Sequence, residues 1–358
     1  MNRIKMPGRI AKLMCDSITC LELDLTDTSV LTEAASGAYV VTSLLAALSG
    51  CPQVIAVARD TTHGTAREVI EYSKWWASQL GVSSRIKFSD EPAHIFAPEV
   101  DLVTNLGHVR PIDNVFIEKM RPNSAIALMF EPWEFRPSDV DLPACRRCNI
   151  PVMGTDETDC RLDTFRYVGI LALKLLLECQ CEAYRSNVLV IGSSPFGSAV
   201  CEVLTNNGSA VTLLDPMAPT YRNELCQDTF KNLDAIVLVE HKFREPLFGD
   251  DSIPLEWIEA TSTNLIHICG NIDTDQLRRI GICKVPANGV PPSWMTVGTD
   301  YVGPKPVIDL HAGGLRVGQE LVAAMRQFSH ADVAAQHVLS TSAPALPLVP
   351  GTARAGSS

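Results

Sequence analysis

No apolar run in this chain reaches the roughly 20 consecutive residues that a membrane-crossing helix needs. The start, with Arg3, Lys5, Arg9 and Lys12, lacks the apolar stretch of a signal peptide. A cytoplasmic protein is expected, with no membrane partner. Basic residues are also short, 30 Lys and Arg against 41 Asp and Glu, for a net charge of -11. Nucleic-acid binding depends on clustered Lys and Arg that displace counterions from phosphates, so DNA and RNA are excluded as main partners. Zinc-finger spacing is missing as well. Among 12 cysteines, Cys145 and Cys148 form one C-x-x-C beside Arg146 and Arg147, with no second Cys or His pair to complete it. No metal is assigned, and the scattered cysteines read as reduced, mostly buried thiols. Ser193-Ser194 is not framed by a G-x-S-x-G elbow, which removes a serine-nucleophile reading.

What remains is a chain of 358 residues, 46% hydrophobic and 20% charged. It is too long for one ordinary core and suits two α/β domains. The most informative stretch runs from Ser186 to Pro216. Val188 to Ile191 is a short continuous apolar run, as a parallel strand covered on both faces requires. Gly192-Ser193-Ser194-Pro195-Phe196-Gly197 follows as a turn. Val200, Val203 and Leu204 recur at helical spacing, Gly208 ends the helix, and Val211 to Leu214 form the next strand, closed by Asp215.

This order of strand, glycine turn, helix, strand and acid is a dinucleotide-binding pattern. Its first and last glycines are Gly192 and Gly197, with Ser194 in place of the middle one. The first glycine permits the tight turn and the last permits helix to pack closely on strand. Pro195 suits a first helical turn, whose free N–H groups and positive dipole end face phosphate. Asp215 can accept both ribose hydroxyls and repels a 2′-phosphate, so NAD is expected over NADP.

Two further segments resemble each other. Asp101 to Arg110 and Asp234 to Arg244 each begin with Asp, continue as strand and end with His and Arg. A Pro-containing helix and another strand follow each, Ala125 to Met129 and Leu265 to Cys269. A degenerate duplication makes the N-terminal domain Rossmann-like too, with Gly37 to Leu48 as its first helix, Val54 to Val57 as a strand and Ala66 to Leu80 as extra helix. The expected fold class is α/β, two Rossmann-like doubly wound domains joined by two crossing helices. One crossing helix is Phe165 to Leu177 and the other returns near residues 311–330. The expected domains are residues 1–160, completed by 311–330, and an NAD-binding domain at 161–305. Residues 340–358, rich in Pro, Ala, Ser and Gly, are expected to be a disordered tail.

The arrangement resembles the superfamily of formate/D-2-hydroxyacid dehydrogenases and S-adenosylhomocysteine hydrolases, whose members insert the NAD domain within a second Rossmann-like domain. Ile266 to Leu277, with C-G-N-I-D-T-D-Q-L, is similar to the strand end and acidic turn near the nicotinamide. The Arg, Glu and His set of the dehydrogenases and the Lys and Asp of the hydrolase are not matched. The replaced middle glycine is also similar to that of methylenetetrahydrofolate dehydrogenases, whose catalytic lysine motif is not found.

Ligands of open α/β sheets sit beyond the carboxyl ends of strands. Asn105, His108 and Arg110 follow one such strand, and Glu131, Trp133, Glu134 and Arg136 another. His108 can shuttle a proton and Arg110 can hold an anion in a bidentate pair, while Glu131, Glu134 and Arg136 read equally well as surface pairs. His241, Gly270, Asn271 and Asp273 are expected to border the cofactor. His311, Gly313 and Gly314 are expected to open the returning helix, with His311 the other acid-base candidate and the helix end an anion site. Trp75-Trp76 reads as packing or interface.

The expected function is an NAD-dependent oxidoreductase acting on a small, anionic metabolite in the cleft between the domains, in a homodimer. The alternatives are an S-adenosylmethionine-dependent methyltransferase and a non-catalytic NAD-binding regulatory protein.

Overall fold

The computed structural model describes residues 6–348, except 63, 250–251, 260–263, 283 and 292–293, and it leaves out the side chains of Trp133 and Glu259. The chain divides into two compact units, Met1–Leu162 with Pro304–Ser358, and Asp163–Gly303.

The first unit is built on strands β1 (Val30–Glu33), β2 (Val54–Val57), β3 (Ile86–Ser89), β4 (Leu102–Thr104), β5 (Ala125–Ala127) and β6 (Val152–Thr155). They pair in parallel in the order β6-β5-β4-β1-β2-β3, a doubly wound order in which direction reverses between β1 and β4. Alternate residues face opposite sides. Val30, Val54, Leu102 and Ala125 join Met14, Leu44, Trp76 and Leu315 in one apolar layer. Leu31, Ile55, Val103 and Ile126 join Ile112, Phe116 and Phe135 in the other. Both faces of the central strands are covered, so β2, β4 and β5 have every residue buried, whereas the edge strand β3 buries only Ile86.

The helix Lys305–Phe328 lies against β4, β5 and β6. A Cβ at Gly318 would collide with the Leu102 side chain, and one at Gly314 would meet Met129 at 2.6 Å. The glycines therefore serve close packing of helix on sheet. They do not open the helix: it begins six residues before His311, because Pro306 is well placed in a first turn. The expected start near residue 311, and the anion site it implied, are corrected accordingly.

The tail is also partly ordered. Strand β12 (Ala345–Pro347) pairs antiparallel with β6, Ala345 opposite Thr155 and Pro347 opposite Met153. Backbone hydrogen bonds to an otherwise open sheet edge order a segment whose side chains have little to bury. The remainder of the expected tail, 349–358, lies outside the described residues.

The second unit carries β7 (Asn187–Ile191), β8 (Ala210–Leu214), β9 (Ala235–Val239), β10 (Asn264–Cys269) and β11 (Lys284–Val285), all parallel, in the order β11-β10-β9-β7-β8. Its direction reverses between β7 and β9. The helix Thr164–Glu178 packs on the helix Phe196–Asn206, with Gly169 pressed to the Ala199 carbonyl. Each helix expected to join the domains thus packs within one unit.

The two resembling segments occupy the same place in their own sheets. Asp101 precedes β4 and accepts the Ser29 N–H at 2.9 Å; Asp234 precedes β9 and accepts the Asn187 N–H at 2.7 Å. In both, the acid ties the switch-point strand to the start of the first strand.

Candidate functional site

In the second unit the parallel strands aim their carboxyl ends at one edge. There the turn Gly192–Gly197 joins β7 to the helix Phe196–Asn206. A Cβ at Gly192 would meet the Val239 carbonyl at 2.7 Å, and one at Gly197 would strike the Gly192 carbonyl. Both glycines are therefore demanded by close backbone approach.

The same edge collects the other expected residues. Asp215 follows β8 and uses Oδ1 to accept the Met217 N–H at 2.8 Å, bending the chain away from the sheet. His241 follows β9 and stacks on Phe196, ring centroids 4.2 Å apart. Burial, with the Lys242 charge beside it, lowers its pKa to about 3, so the ring is neutral. Gly270 leaves β10 with φ 129°. The Asn271 amide donates to the Arg244 carbonyl at 2.7 Å, and the Asp273 carboxylate caps the helix Thr274–Arg279 by accepting from the Asp275 and Gln276 N–H groups. Asn271 and Asp273 thus have local structural work, joining two loops and ending a helix.

Beyond Asp215 lies a cleft of about 820 Å³ that the sequence did not reveal. Pro216, Tyr221, Arg222 and Leu225 form one wall, Phe243, Glu245, Pro246 and Phe248 the other. Its size suits a nucleoside, and its lining mixes apolar side chains with the polar groups of Tyr221, Arg222, Glu245 and Ser252. One side carries the short helix Tyr221–Glu224 and the other a loop about 20 residues further on, and nothing local announces that they meet.

Sequence reading also missed Glu240. This carboxylate is 1% exposed and lies beneath the turn. Its Oε2 accepts the Ser193 N–H at 2.6 Å; its Oε1 accepts the Ser193 hydroxyl at 2.9 Å, the Phe243 N–H at 2.7 Å and the Lys242 N–H. The available signal was an acid immediately after a five-residue apolar strand, where a buried charge must have donors.

In the first unit the switch point between β1 and β4 holds a polar cluster. Glu33 ends β1, is buried, and accepts the His108 N–H at 3.0 Å. Burial outweighs that hydrogen bond and the charges of Arg110 and Arg59, and it raises the Glu33 pKa to about 7. Arg110 pairs with Asp139 at 2.9 Å. Arg59 donates to the carbonyls of Arg110 and Gly107 at 2.9 and 2.8 Å. Glu33 and Arg59 were missed because an acid closing a short strand and an arginine after another carry no spacing signal.

The histidines depart from expectation. His108 Nδ1 accepts the Arg59 backbone N–H at 2.9 Å, so the neutral ring carries its proton on Nε2 and has no open lone pair with which to take another. It can donate a hydrogen bond but not shuttle a proton while that contact holds. His311 lies inside the helix Lys305–Phe328, 3% exposed, with Nδ1 on the Thr42 hydroxyl. Burial lowers its pKa to about 4, and it is a core histidine rather than an acid-base group.

Other side chains divide between expectation and correction. Glu131 is buried and accepts the Glu157 N–H at 3.3 Å, so it is no surface pair. Trp76 is buried while Trp75 is 47% exposed. Burial pushes the Cys145 thiol up to about 12, far from a thiolate ligand. Among the described residues no group of three His, Cys, Asp or Glu side chains is placed to hold a metal ion, and no helix is long and apolar enough to cross a membrane.

No protein-family model matches the chain, and no curated protein matches it by sequence. Solved structures do match by fold. A dipicolinate synthase chain of Bacillus subtilis is similar with a TM-score of 0.54 and 12% identity, over 85% of this chain and 99% of that one. The pyruvate reductase of Chlamydomonas reinhardtii is similar with a TM-score of 0.50 and 14% identity, over 85% and 98%. The corresponding dipicolinate synthase chain of Bacillus halodurans has a TM-score of 0.50 and 13% identity, over 84% and 99%. At these identities the likeness establishes the fold: α/β, with two doubly wound parallel sheets.

Proposed function

We propose that the chain is an NAD-dependent oxidoreductase acting on a small, polar, anionic metabolite. The observation that carries this reading is the β7, turn, helix and β8 unit ending in Asp215, with the cleft of about 820 Å³ directly beyond it. The turn holds the pyrophosphate region, Asp215 accepts the ribose hydroxyls and the cleft takes adenine. The stacked, neutral His241 and the end of β10 at Gly270 border the remainder of the dinucleotide. When bound, the cofactor supplies hydride transfer.

Residues of the first unit serve the substrate. Arg110, held by Asp139, presents its remaining N–H groups to a carboxylate or other anion. His108 donates a hydrogen bond from Nε2. Glu33 takes the proton-holding role that neither histidine can fill, since a carboxyl group near pKa 7 is present in both forms at neutral pH. A small carboxylate substrate also accords with the similarity in fold to a pyruvate reductase. We further infer a cytoplasmic homodimer, a state that a mass measurement in solution checks.

Calorimetric titration with NAD, NADP and S-adenosylmethionine tests the assignment. NAD is expected to bind most tightly, and Asp215→Ala to weaken it by about tenfold, the worth of one good charge-assisted hydrogen bond. Preference for S-adenosylmethionine would replace the oxidoreductase reading with methyl transfer. NAD binding with no turnover across a panel of 2-oxoacids and 2-hydroxyacids would favour the regulatory reading, which gains from the engagement of both histidines.

A further inference from the structure

The turn that should receive a pyrophosphate has lost backbone donors. Pro195 has no N–H, and the Ser193 N–H is already given to Glu240. The Glu240 carboxylate also places a fixed negative charge beneath the turn, which by itself opposes a second anion. With two backbone donors fewer and a carboxylate beneath it, the turn gains from side-chain donors toward a pyrophosphate.

Three side-chain groups gather at the turn, from the turn itself, the first turn of the helix Phe196–Asn206 and the loop after β9. The Lys242 ammonium donates to the Ser194 carbonyl, and the hydroxyls of Ser194 and Ser198 bond each other at 2.6 Å. Lys242 is exposed, and the next residue, Phe243, lines the cleft. Its backbone is held from below, since the Lys242 and Phe243 amides both donate to Glu240. The same buried carboxylate that removes a turn amide thus positions the lysine.

We propose that Lys242, with the Ser194 and Ser198 hydroxyls, holds the pyrophosphate of the cofactor in place of the missing turn amides. This rests on the dinucleotide reading above. An ammonium has three donors, so it can keep the Ser194 carbonyl and still meet a phosphate oxygen. Its charge offsets that of Glu240 and makes the contact sensitive to salt.

The test is calorimetry on the full chain, wild type and Lys242→Met, with NAD, ADP-ribose and adenosine at low and high salt. Methionine keeps the apolar stem at an exposed position, so folding is retained. The expected result is an affinity for NAD and ADP-ribose about tenfold weaker, adenosine within about twofold of wild type, and a shallower salt dependence for NAD. Lys242→Arg should recover part of the loss. Unchanged NAD affinity in Lys242→Met overturns the lysine assignment and leaves the dinucleotide reading standing. An equal loss for adenosine overturns it too, because the lysine would then shape the cleft. A wild-type chain that binds none of the three ligands overturns both readings.

Discussion

Replacing Glu33 by Gln should make the first unit more stable at neutral pH and leave it unchanged in acid. The Glu33 pKa is raised from 4.5 to about 7 by burial. Below pH 4.5 the carboxyl is protonated in both the folded and unfolded chain and contributes nothing to pH dependence. Between 4.5 and 7 the folded chain retains a proton that the unfolded chain releases, so stability falls as pH rises. Above 7 the full penalty of about 3 kcal/mol applies. His311 has the opposite slope. Its pKa is lowered from 6.5 to about 4, so it costs nothing above 6.5, and about 3 kcal/mol has accumulated once pH falls below 4. The two nearly cancel, and the wild-type unit should show little net slope from these groups between pH 4 and 7.

Glu33→Gln keeps an acceptor for the His108 N–H and removes one side of that balance. The variant should gain about 3 kcal/mol over wild type at pH 7.5 and match it near pH 4.5. Hydrogen exchange of peptides covering β1 and β4 reads this as two orders of magnitude or more in protection at pH 7.5, after correction for intrinsic rates. Equal protection of variant and wild type at both pH values would refute the raised pKa, and with it the proton-holding role of Glu33.

Gly318→Val should cost more than about 3 kcal/mol or prevent folding, because its Cβ collides with Leu102 on β4. Gly8→Ala, with nothing near its Cβ, is the matched control, and thermal unfolding followed by circular dichroism separates the two. Glu240→Ala leaves the Ser193, Lys242 and Phe243 amides without their acceptor and should lower stability by roughly 3 kcal/mol or more. A chain that melts within about 2 °C of wild type would show that water replaces the carboxylate without loss.

The glycine turn after β7 is legible because each of its parts is local. An apolar run, a glycine where backbone meets backbone, a helical repeat and an acid lie in consecutive positions, and short-range sterics dictate them. Val54–Val57 is legible to the residue for the same reason, since a strand buried on both faces has no polar interruption. The histidines are legible as candidates but not in their roles. The spacing of His108 places it at a strand end, whereas its tautomer is set by Arg59, on the loop after β2, two strands away in the sheet.

Residue type and separations of a few positions are enough to mark an α/β chain with a strand, glycine turn, helix and strand unit closed by an acid. The rest depends on long-range packing. It placed Glu240 under a turn 47 residues away and let the helix containing His311 begin six residues early to pack its glycines on β4 and β5. It also brought the segment around Tyr221–Glu224 and the loop after β9 together as a cleft and drew the tail into the first sheet. Each of these rests on contacts between segments far apart in the chain, where burial and close packing outweigh any local preference.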